Sequence, residues 1–510
     1  FKHTSYNSMG QDVVDINNDG LPDVVELDMN PADNYRKKKM LASNGYLTYQ
    51  NFDLYQYEYQ YVRNTLQINQ GPRILQNDST GDPVFSDIGF LSGMSQTDWS
   101  WSPLVADFDN DSYRDLIVTN GFPRDVSDHD FMAYRDKTQG LISKLNLIEK
   151  IPQVKLHNYA FKNKGDLTFT DETAGWGLEQ PTYSNGVAYA DFNQDGARDM
   201  VINNINDEVL LYKNTAREKD TAATHYLQIR FRGDRQNING LGAKAAIYYD
   251  GGKQQVYDNN PYRSYISSME DIAHFGLGKT SLVDSVIIQW NNGKQQTIKN
   301  VKANQVITAN IKDATVEYQP QNPVTASHSL FKEITGAAGI TYRHHDYDFI
   351  DFNVQNLLPH KLSEYCPALA VADIDGNGFD DLVIGGNSVY ATHLLLQQPN
   401  GRFLEKDSLP GVRHNARLSK DEGLLVFDAN GDGKPDLVIG NLGLNSQCKV
   451  SVKKPAEMYY KDFDDNGSVD PIFCFYIQDT SYPYVTKDEL LDQMSSMRTR
   501  FTDYKSYADV

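Results

Sequence analysis

The chain has 510 residues, 40% of them hydrophobic and 23% charged, with a formal net charge of −20 at neutral pH. Two or more domains are expected at this length, while the apolar content excludes wholesale disorder and the lack of any eighteen-residue apolar run excludes an ordinary membrane-spanning helix. So large an acidic surplus repels a phosphate backbone and excludes nucleic acid as a general partner.

A total of 32 Tyr and 36 Gly among many short apolar runs points to an all-β protein. The three cysteines, Cys366, Cys448 and Cys474, lack zinc spacing and allow at most one disulfide.

The first chemical motif is DINNDGLPD, starting at Asp15. Asp15, Asn17, Asp19 and Asp23 put side-chain oxygens at positions 1, 3, 5 and 9, Gly20 permits a sharp turn, and Leu21 at position 7 can offer its carbonyl. This spacing suits calcium, a hard cation that takes about six to eight oxygen ligands. An EF-hand opens in the same way, but it needs a Glu at its twelfth position and a helix leaving the loop. Here strand-like runs such as GLLVFD and LVIGG lead into and out of the loops, so the loops are expected to join two strands.

From PADNYRKKKM onwards, residues 31–64 have a helical or mixed texture and interrupt the pattern. Within them LYQYEYQYV alternates Tyr55, Tyr57, Tyr59 and Tyr61, a stripe that suits a binding surface or a half-buried strand. TDWSWSP then places Trp99 and Trp101 on one face of a strand, where core packing is the expected fate and stacking on sugar rings the alternative.

The second acid loop, DFDNDSYRD, offers Asp107, Asp109, Asp111, the Tyr113 carbonyl and Asp115; Ser112 replaces the glycine, so this loop is expected to be strained or weaker. The third, DFNQDGARD, offers Asp191, Asn193, Asp195, Ala197 and Asp199. Between about His225 and Ile311 no acid loop occurs. HYLQIRFRG alternates Leu227, Ile229 and Phe231, and AAIYY, VDSVIIQW, QTIKNV and QVITANI follow as further strands of a β-sandwich-like domain. A polar linker with two prolines runs from Gln319 to Ser329.

His344 and His345, with Asp346, Asp348 and Asp351, form the densest titratable cluster outside the loops. A polar turn between blades is favoured over a metal site or an acid/base pair, and His360 is read as structural on the same grounds. Three more loops follow: DIDGNGFDD with Asp373, Asp375, Asn377, Phe379 and Asp381; DANGDGKPD with Asp428, Asn430, Asp432, Lys434 and Asp436; and DFDDNGSVD with Asp462, Asp464, Asn466, Ser468 and Asp470. Residues 486–501 carry Leu490, Leu491, Met494 and Met497 at helical spacing. One such loop is explained equally well as an acidic turn. Six copies with Asp always at position 9 argue for a metal, and six Ca²⁺ would offset more than half of the net charge of −20.

The six loops, with flanking phrases such as FTDETAGWG, resemble FG-GAP or VCBS repeats, the calcium-loop blades of β-propellers. The segment with GLGAKAAIYY and HFGLG resembles an ASPIC/UnbV domain, although WNNG at Trp290–Gly293 departs from the Trp-Pro pair often found there. The order of the pieces is similar to large surface-associated proteins of Bacteroidetes-type bacteria and, more distantly, to cartilage acidic protein.

The resemblance implies an all-β architecture of propeller blades, parts of two propellers, with short helical insertions; a single propeller with an inserted domain is the alternative. Residues 1–224 would be the end of a first propeller, 225–314 the ASPIC/UnbV-like domain, 315–329 a linker and 330–510 the start of a second. Phe1 and Val510 both fall inside repeat-like text, so a fragment of a longer protein is expected.

No nucleophile elbow, zinc-protease, P-loop or dinucleotide motif occurs. The expected function is therefore a non-enzymatic, calcium-stabilised binding, adhesion or scaffold protein, extracellular or on an outer-membrane surface, that recognises a protein or glycan. The alternatives are an accessory subunit of an outer-membrane uptake or secretion complex and a lyase-like polysaccharide-degrading enzyme.

Overall fold

The computed structural model describes residues 1, 3–40, 46–74, 80–138, 141–318, 334–344, 367–386, 392–406, 423–440, 448–451 and 453–509. It divides into two compact units, Phe1–Thr325 with Arg500–Val510, and Ala326–Thr499. Both are built from short strands in antiparallel meanders with a few short helices, the all-β class expected.

In the first unit each acid loop is the tip of a β-hairpin. Gln11–Val14 and Asp23–Glu26 flank loop 1 and continue through Thr65–Ile74 and Thr80–Asp87 as a four-stranded sheet. Asp98–Ala106 and Asp115–Asn120 flank loop 2 and continue through Tyr159–Asn163 and Phe169–Asp171. Ser184–Ala190 and Asp199–Asn204 flank loop 3, with Leu210–Tyr212 as the third strand.

The middle sheet explains why its strands read as unbroken apolar runs. Successive side chains of a strand face opposite ways, so Val105, Leu116 and Val118 pack with Ile16, Val25 and Leu66 of the first sheet. Leu104 and Ile117 pack on the other side with Val187, Tyr189 and Ile202 of the third. A strand buried on both faces has no polar side to show, and each of these aliphatic side chains contributes about 1.5–3 kcal/mol by burial.

The segment after His225 forms two sheets around one core. His225–Arg232 lies between Ala273–Gly278, antiparallel, and Gln305–Asn310, parallel. Lys253–Asp258, Lys244–Tyr249, Leu282–Gln289, Lys294–Lys302 and Val316–Glu317 make the second sheet in that order. Leu227, Ile229 and Phe231 meet Ala245, Ile247 and Ile288 between the sheets, so the alternation in HYLQIRFRG is the inner face of a sandwich.

Three aromatic and helical features sharpen the sequence reading. Trp99 and Trp101 are buried on Phe122, with ring centroids 5.1 and 5.5 Å away, and the Trp101 indole N–H donates to the Gly121 carbonyl at 2.9 Å; they are core. The Tyr stripe is not one strand face. Tyr55 ends the helix Tyr46–Tyr55, Tyr57 follows outside any helix or strand, and only Tyr59 and Tyr61 share a short strand, Tyr59–Tyr61, paired in parallel with His3–Ser5. The helix expected in 486–501 forms over Lys487–Gln493 with Thr486 and Glu489 as a capping box. It buries Leu490 and Leu491, whereas Met497 falls on the 3₁₀ turn Ser495–Thr499.

A last helix, Tyr504–Ala508, returns to the first unit. Asp130 accepts the Tyr504 N–H at 2.8 Å, and Lys38 of the helix Asn34–Lys39 lies 5.1 Å from the Tyr507 ring centroid. In the second unit, Leu369–Ala372 and Asp381–Ile384 flank loop 4 in a four-stranded sheet. Gly423–Phe427 and Asp436–Gly440 flank loop 5, and Glu457–Lys461 and Asp470–Ile477 flank loop 6. Cys448 and Cys474 are buried thiols, while Cys366 lies outside the described residues.

Candidate metal loops

All six loops adopt one conformation, held by the same backbone hydrogen bonds. The position-1 carboxylate accepts the N–H of position 5 on one oxygen and of position 6 on the other. In loop 1 Asp15 accepts from Asp19 at 3.1 Å and Gly20 at 2.9 Å; in loop 5 Asp428 accepts from Asp432 at 3.1 Å and Gly433 at 2.8 Å. Asp107, Asp191, Asp373 and Asp462 do the same.

The position-9 Asp closes the loop by accepting the N–H of position 2, from Ile16 to Asp23 at 2.8 Å and in every later copy from Asp115 to Asp470. Position 7 (Leu21, Tyr113, Ala197, Phe379, Lys434, Ser468) enters through its N–H, which donates to the side chain at position 5.

Position 6 requires the left-handed backbone, and Ser112 adopts it at φ +89° where the other loops have glycine. That is a strained conformation for a side-chain-bearing residue, as loop 2 was expected to show. Position 4 is left-handed too, at Asn18, Asn110, Gln194, Gly376, Gly431 and Asp465. Pattern reading passed over it, although a run of Asn and Gly is the residue choice that signals such a backbone.

A second feature lay too far along the chain to be read. Backbone N–H groups of Asn69, within the third strand of its sheet, of Asn163, at the end of its own, and of Asn214, just past the third strand of its sheet, donate to the other oxygen of Asp23, Asp115 and Asp199 at 2.8, 3.0 and 2.8 Å. Their side-chain amides donate back to the carbonyls of Pro22, Arg114 and Arg198. The position-9 carboxylate is thus a structural clasp as well as an oxygen donor.

The carboxylates of positions 1, 3 and 9 converge within 4.8 Å in loops 2, 4 and 6, at Asp107, Asp109 and Asp115, at Asp373, Asp375 and Asp381, and at Asp462, Asp464 and Asp470. Loops 1, 3 and 5 carry Asn17, Asn193 and Asn430 at position 3, so an amide oxygen replaces one carboxylate. Burial, then the neighbouring Asp109 and Asp111, holds the Asp107 carboxyl well above the ordinary range, and Asp115 is raised by burial and by Asp109. Burial pushes Asp23 up to about 6. Exposed Asp428 is lowered instead, chiefly by the Gly433 N–H. In loop 6 the buried Asp464 Oδ1 has no hydrogen-bond partner among the described residues.

Crowded hard oxygen donors with an orphaned carboxylate oxygen fit a hard divalent cation. Loop 2 also differs in its charge: the Lys162 ammonium pairs with Asp109 and, at 2.8 Å, with Asp111.

The sandwich is seated on these loops. HFGLG turns Phe275 and Leu277 into its core, while Gly276 lies on Asp107 and the Gly278 N–H donates to the Asn110 carbonyl at 2.7 Å. His274 Nε2 is 2.7 Å from Asn110 Oδ1; burial, and then the charges of Arg198 and Arg217, push this imidazole well below its ordinary range. Arg114, from position 8 of loop 2, bonds the carbonyls of Asp15 and Val256, and Gln228 donates to Asp191 of loop 3 at 3.2 Å.

A methyl group at residue 276 would overlap the Asp107 carboxylate and lie 2.7 Å from Asn110 Cα. Gly276→Ala is therefore expected to destabilise the first unit by about 2–3 kcal/mol, read as a lower urea midpoint. An unchanged midpoint means that the sandwich and loop 2 are not packed this closely.

Of the histidine cluster, His344 lies 3.1 Å from the Tyr342 hydroxyl; His345, Asp346, Asp348, Asp351 and His360 lie outside the described residues.

Comparisons with known proteins agree with the motifs. The family model described as ASPIC and UnbV matches residues 233–316, and that of the FG-GAP-like repeat matches residues 368–439. Cartilage acidic protein 1 of Mus musculus is 45% identical over 193 residues, 38% of this chain and 25% of that protein. Cartilage acidic protein 1 of Homo sapiens is 46% identical over 56 residues, 11% of this chain and 8% of that protein. The matched stretches thus span a quarter or less of these relatives' length.

Proposed function

We propose that this chain is a non-enzymatic, calcium-stabilised binding or scaffold protein of the extracellular space or an outer-membrane surface. Its FG-GAP-type blades and ASPIC/UnbV segment carry recognition of a protein or glycan. The observation that supports this most is the repetition: six loops of one conformation, each between two strands, and three of the loops converge three carboxylates within 4.8 Å. Calcium would be held by the side chains of positions 1, 3, 5 and 9 and the carbonyl of position 7 in up to six loops. Bound there, it would neutralise the crowded carboxylates and fix the hairpins that present the outer surfaces. The blades before and after the sandwich are assigned to two propellers. Among the described residues no helix is long and apolar enough to cross a membrane.

Calorimetric titration with calcium tests the metal reading. Saturable uptake is expected, with magnesium a poor substitute and the stoichiometry one lower in Asp432→Ala; an unchanged stoichiometry sinks the assignment. Lys162 competes with the ion in loop 2, so Lys162→Met is expected to tighten one site by about fivefold, the worth of about 1 kcal/mol of partly exposed pairing. The binding role is tested by affinity purification from the native envelope in calcium and then in chelator, where a partner retained only in calcium is the expected result.

A further inference from the structure

We propose that the cleft between the sandwich and the loop-1 sheet binds a neutral saccharide. This rests on reading the chain as a binding protein and names the ligand class of one site. The cleft encloses about 970 Å³, the upper part of the roughly 300–1,000 Å³ range of small-ligand pockets.

One wall is the outer face of the five-stranded sheet. Period-two alternation sends Ala245, Ile247 and Tyr249 into the core and leaves Lys244, Ala246 and Tyr248 lining the cleft. The strand Gln11–Val14 and loop 1 form the opposite wall, and the hairpin of Tyr262–Arg263 with Ser267–Ser268 borders it.

The charges on these walls already have partners. Arg263 is paired with Asp12, Lys244 with Asp258 at 3.1 Å, and Arg114 is taken up by main-chain carbonyls. The carboxylates of Asp15 and Asp19 in loop 1 also line the cleft and accept main-chain N–H groups of their own loop. Beyond these, neutral groups face it: the amides of Gln11, Gln254 and Gln289, the Ser268 hydroxyl, and the rings of Tyr248 and Tyr262. Amides and hydroxyls that both donate and accept, next to flat aromatic faces, complement a ring that alternates hydroxyl groups with apolar C–H faces. Apart from the loop-1 carboxylates, an ionic ligand would find few unpaired charges there.

The hairpin adds an independent sign of function. Ser264 has φ +67° and Ile266 φ +44°. For a β-branched residue this backbone is a genuine outlier that costs about 1–3 kcal/mol. The strain gains no packing for Ile266, which is 88% exposed, nor for Tyr262 at 69%. It holds both side chains at the rim of a polar trough, and the half-buried Arg263 between them, paired with Asp12, ties the hairpin down.

The test uses the whole chain in millimolar calcium on an array of short neutral oligosaccharides, with a peptide array in parallel and calorimetry on the best responder. Saturable saccharide binding is expected, weakened at least about tenfold by Tyr262→Ala and by Gln289→Ala and unchanged by Tyr460→Ala, an exposed tyrosine of the other unit. Melting temperatures equal to wild type show that the variants are folded. Saccharide binding that survives both cleft substitutions overturns the proposal while leaving a binding protein with its site elsewhere. Peptides bound through the cleft in place of saccharides overturn the ligand class. No saccharide bound, with a calcium-dependent partner still captured from the envelope, also overturns it; loss of both removes the underlying reading as well.

Discussion

Chelation is expected to lower the melting temperature of the first unit by at least about 10 °C relative to millimolar calcium. An ion that binds the native state alone adds about 2.7 kcal/mol when its free concentration is a hundred times the dissociation constant. Three loops of the first unit would then add about 8 kcal/mol, and about 2 °C per kcal/mol converts this to the expected shift. The physical source is the burial of Asp107 and Asp115 beside Asp109, which charges the native state at an energetic cost that only a cation or a proton relieves.

The pH dependence supplies a second readout with a definite sign. Asp23 has a folded pKa raised to about 6 against 3.8, so its proton stabilises the metal-free native state fully below about 4. That stability is lost as the pH climbs through about 6. Metal-free protein should therefore lose stability between pH 4 and 6, and calcium should restore it at neutral pH. Identical melting with and without chelator at pH 7 would falsify the calcium assignment.

Local spacing was legible in the sequence and long-range closure was not. Positions 1, 3, 5 and 9 are nine-residue information, and the shared loop conformation follows from them together with the left-handed positions. The clasp from Asn163 to Asp115 spans 48 residues, and the Asp12–Arg263 pair spans 251, so no window of periodicity contains both partners. HFGLG identified a family but not its role. Only the structure shows that its apolar residues face the sandwich core and its small ones accommodate loop 2. The Tyr stripe misled because alternation was read across a helix end: Gln56 at φ +55° terminates the helix, and alternation has no meaning through that break.

Arg263→Met is expected to cost about 3–5 kcal/mol, a large fraction of the roughly 5–15 kcal/mol that holds a typical domain folded. Its guanidinium grips Asp12 with both ends of the fork, Nε to Oδ1 at 2.8 Å and Nη2 to Oδ2 at 2.7 Å. It also donates to the Val105 carbonyl at 2.8 Å and the Tyr189 hydroxyl at 3.1 Å. One arginine thus joins the sandwich hairpin to all three sheets that carry loops 1, 2 and 3.

Because Asp12 is 2% exposed, removing the cation leaves a buried carboxylate whose remaining donors among the described residues are the main-chain N–H groups of Val13 and Val105. Lysine should not rescue it, since an ammonium cannot reproduce the two-pronged geometry or reach the carbonyl and hydroxyl together. The double variant Asp12→Leu with Arg263→Met removes both charges and should be more stable than Arg263→Met alone. Equilibrium urea unfolding followed by tryptophan fluorescence measures all three, with Trp99 and Trp101 as reporters in the second sheet. A loss below about 1 kcal/mol in the single variant would show that the pair is dispensable. The hairpin carrying Tyr262 and Ile266 would then owe its strained conformation to some other constraint.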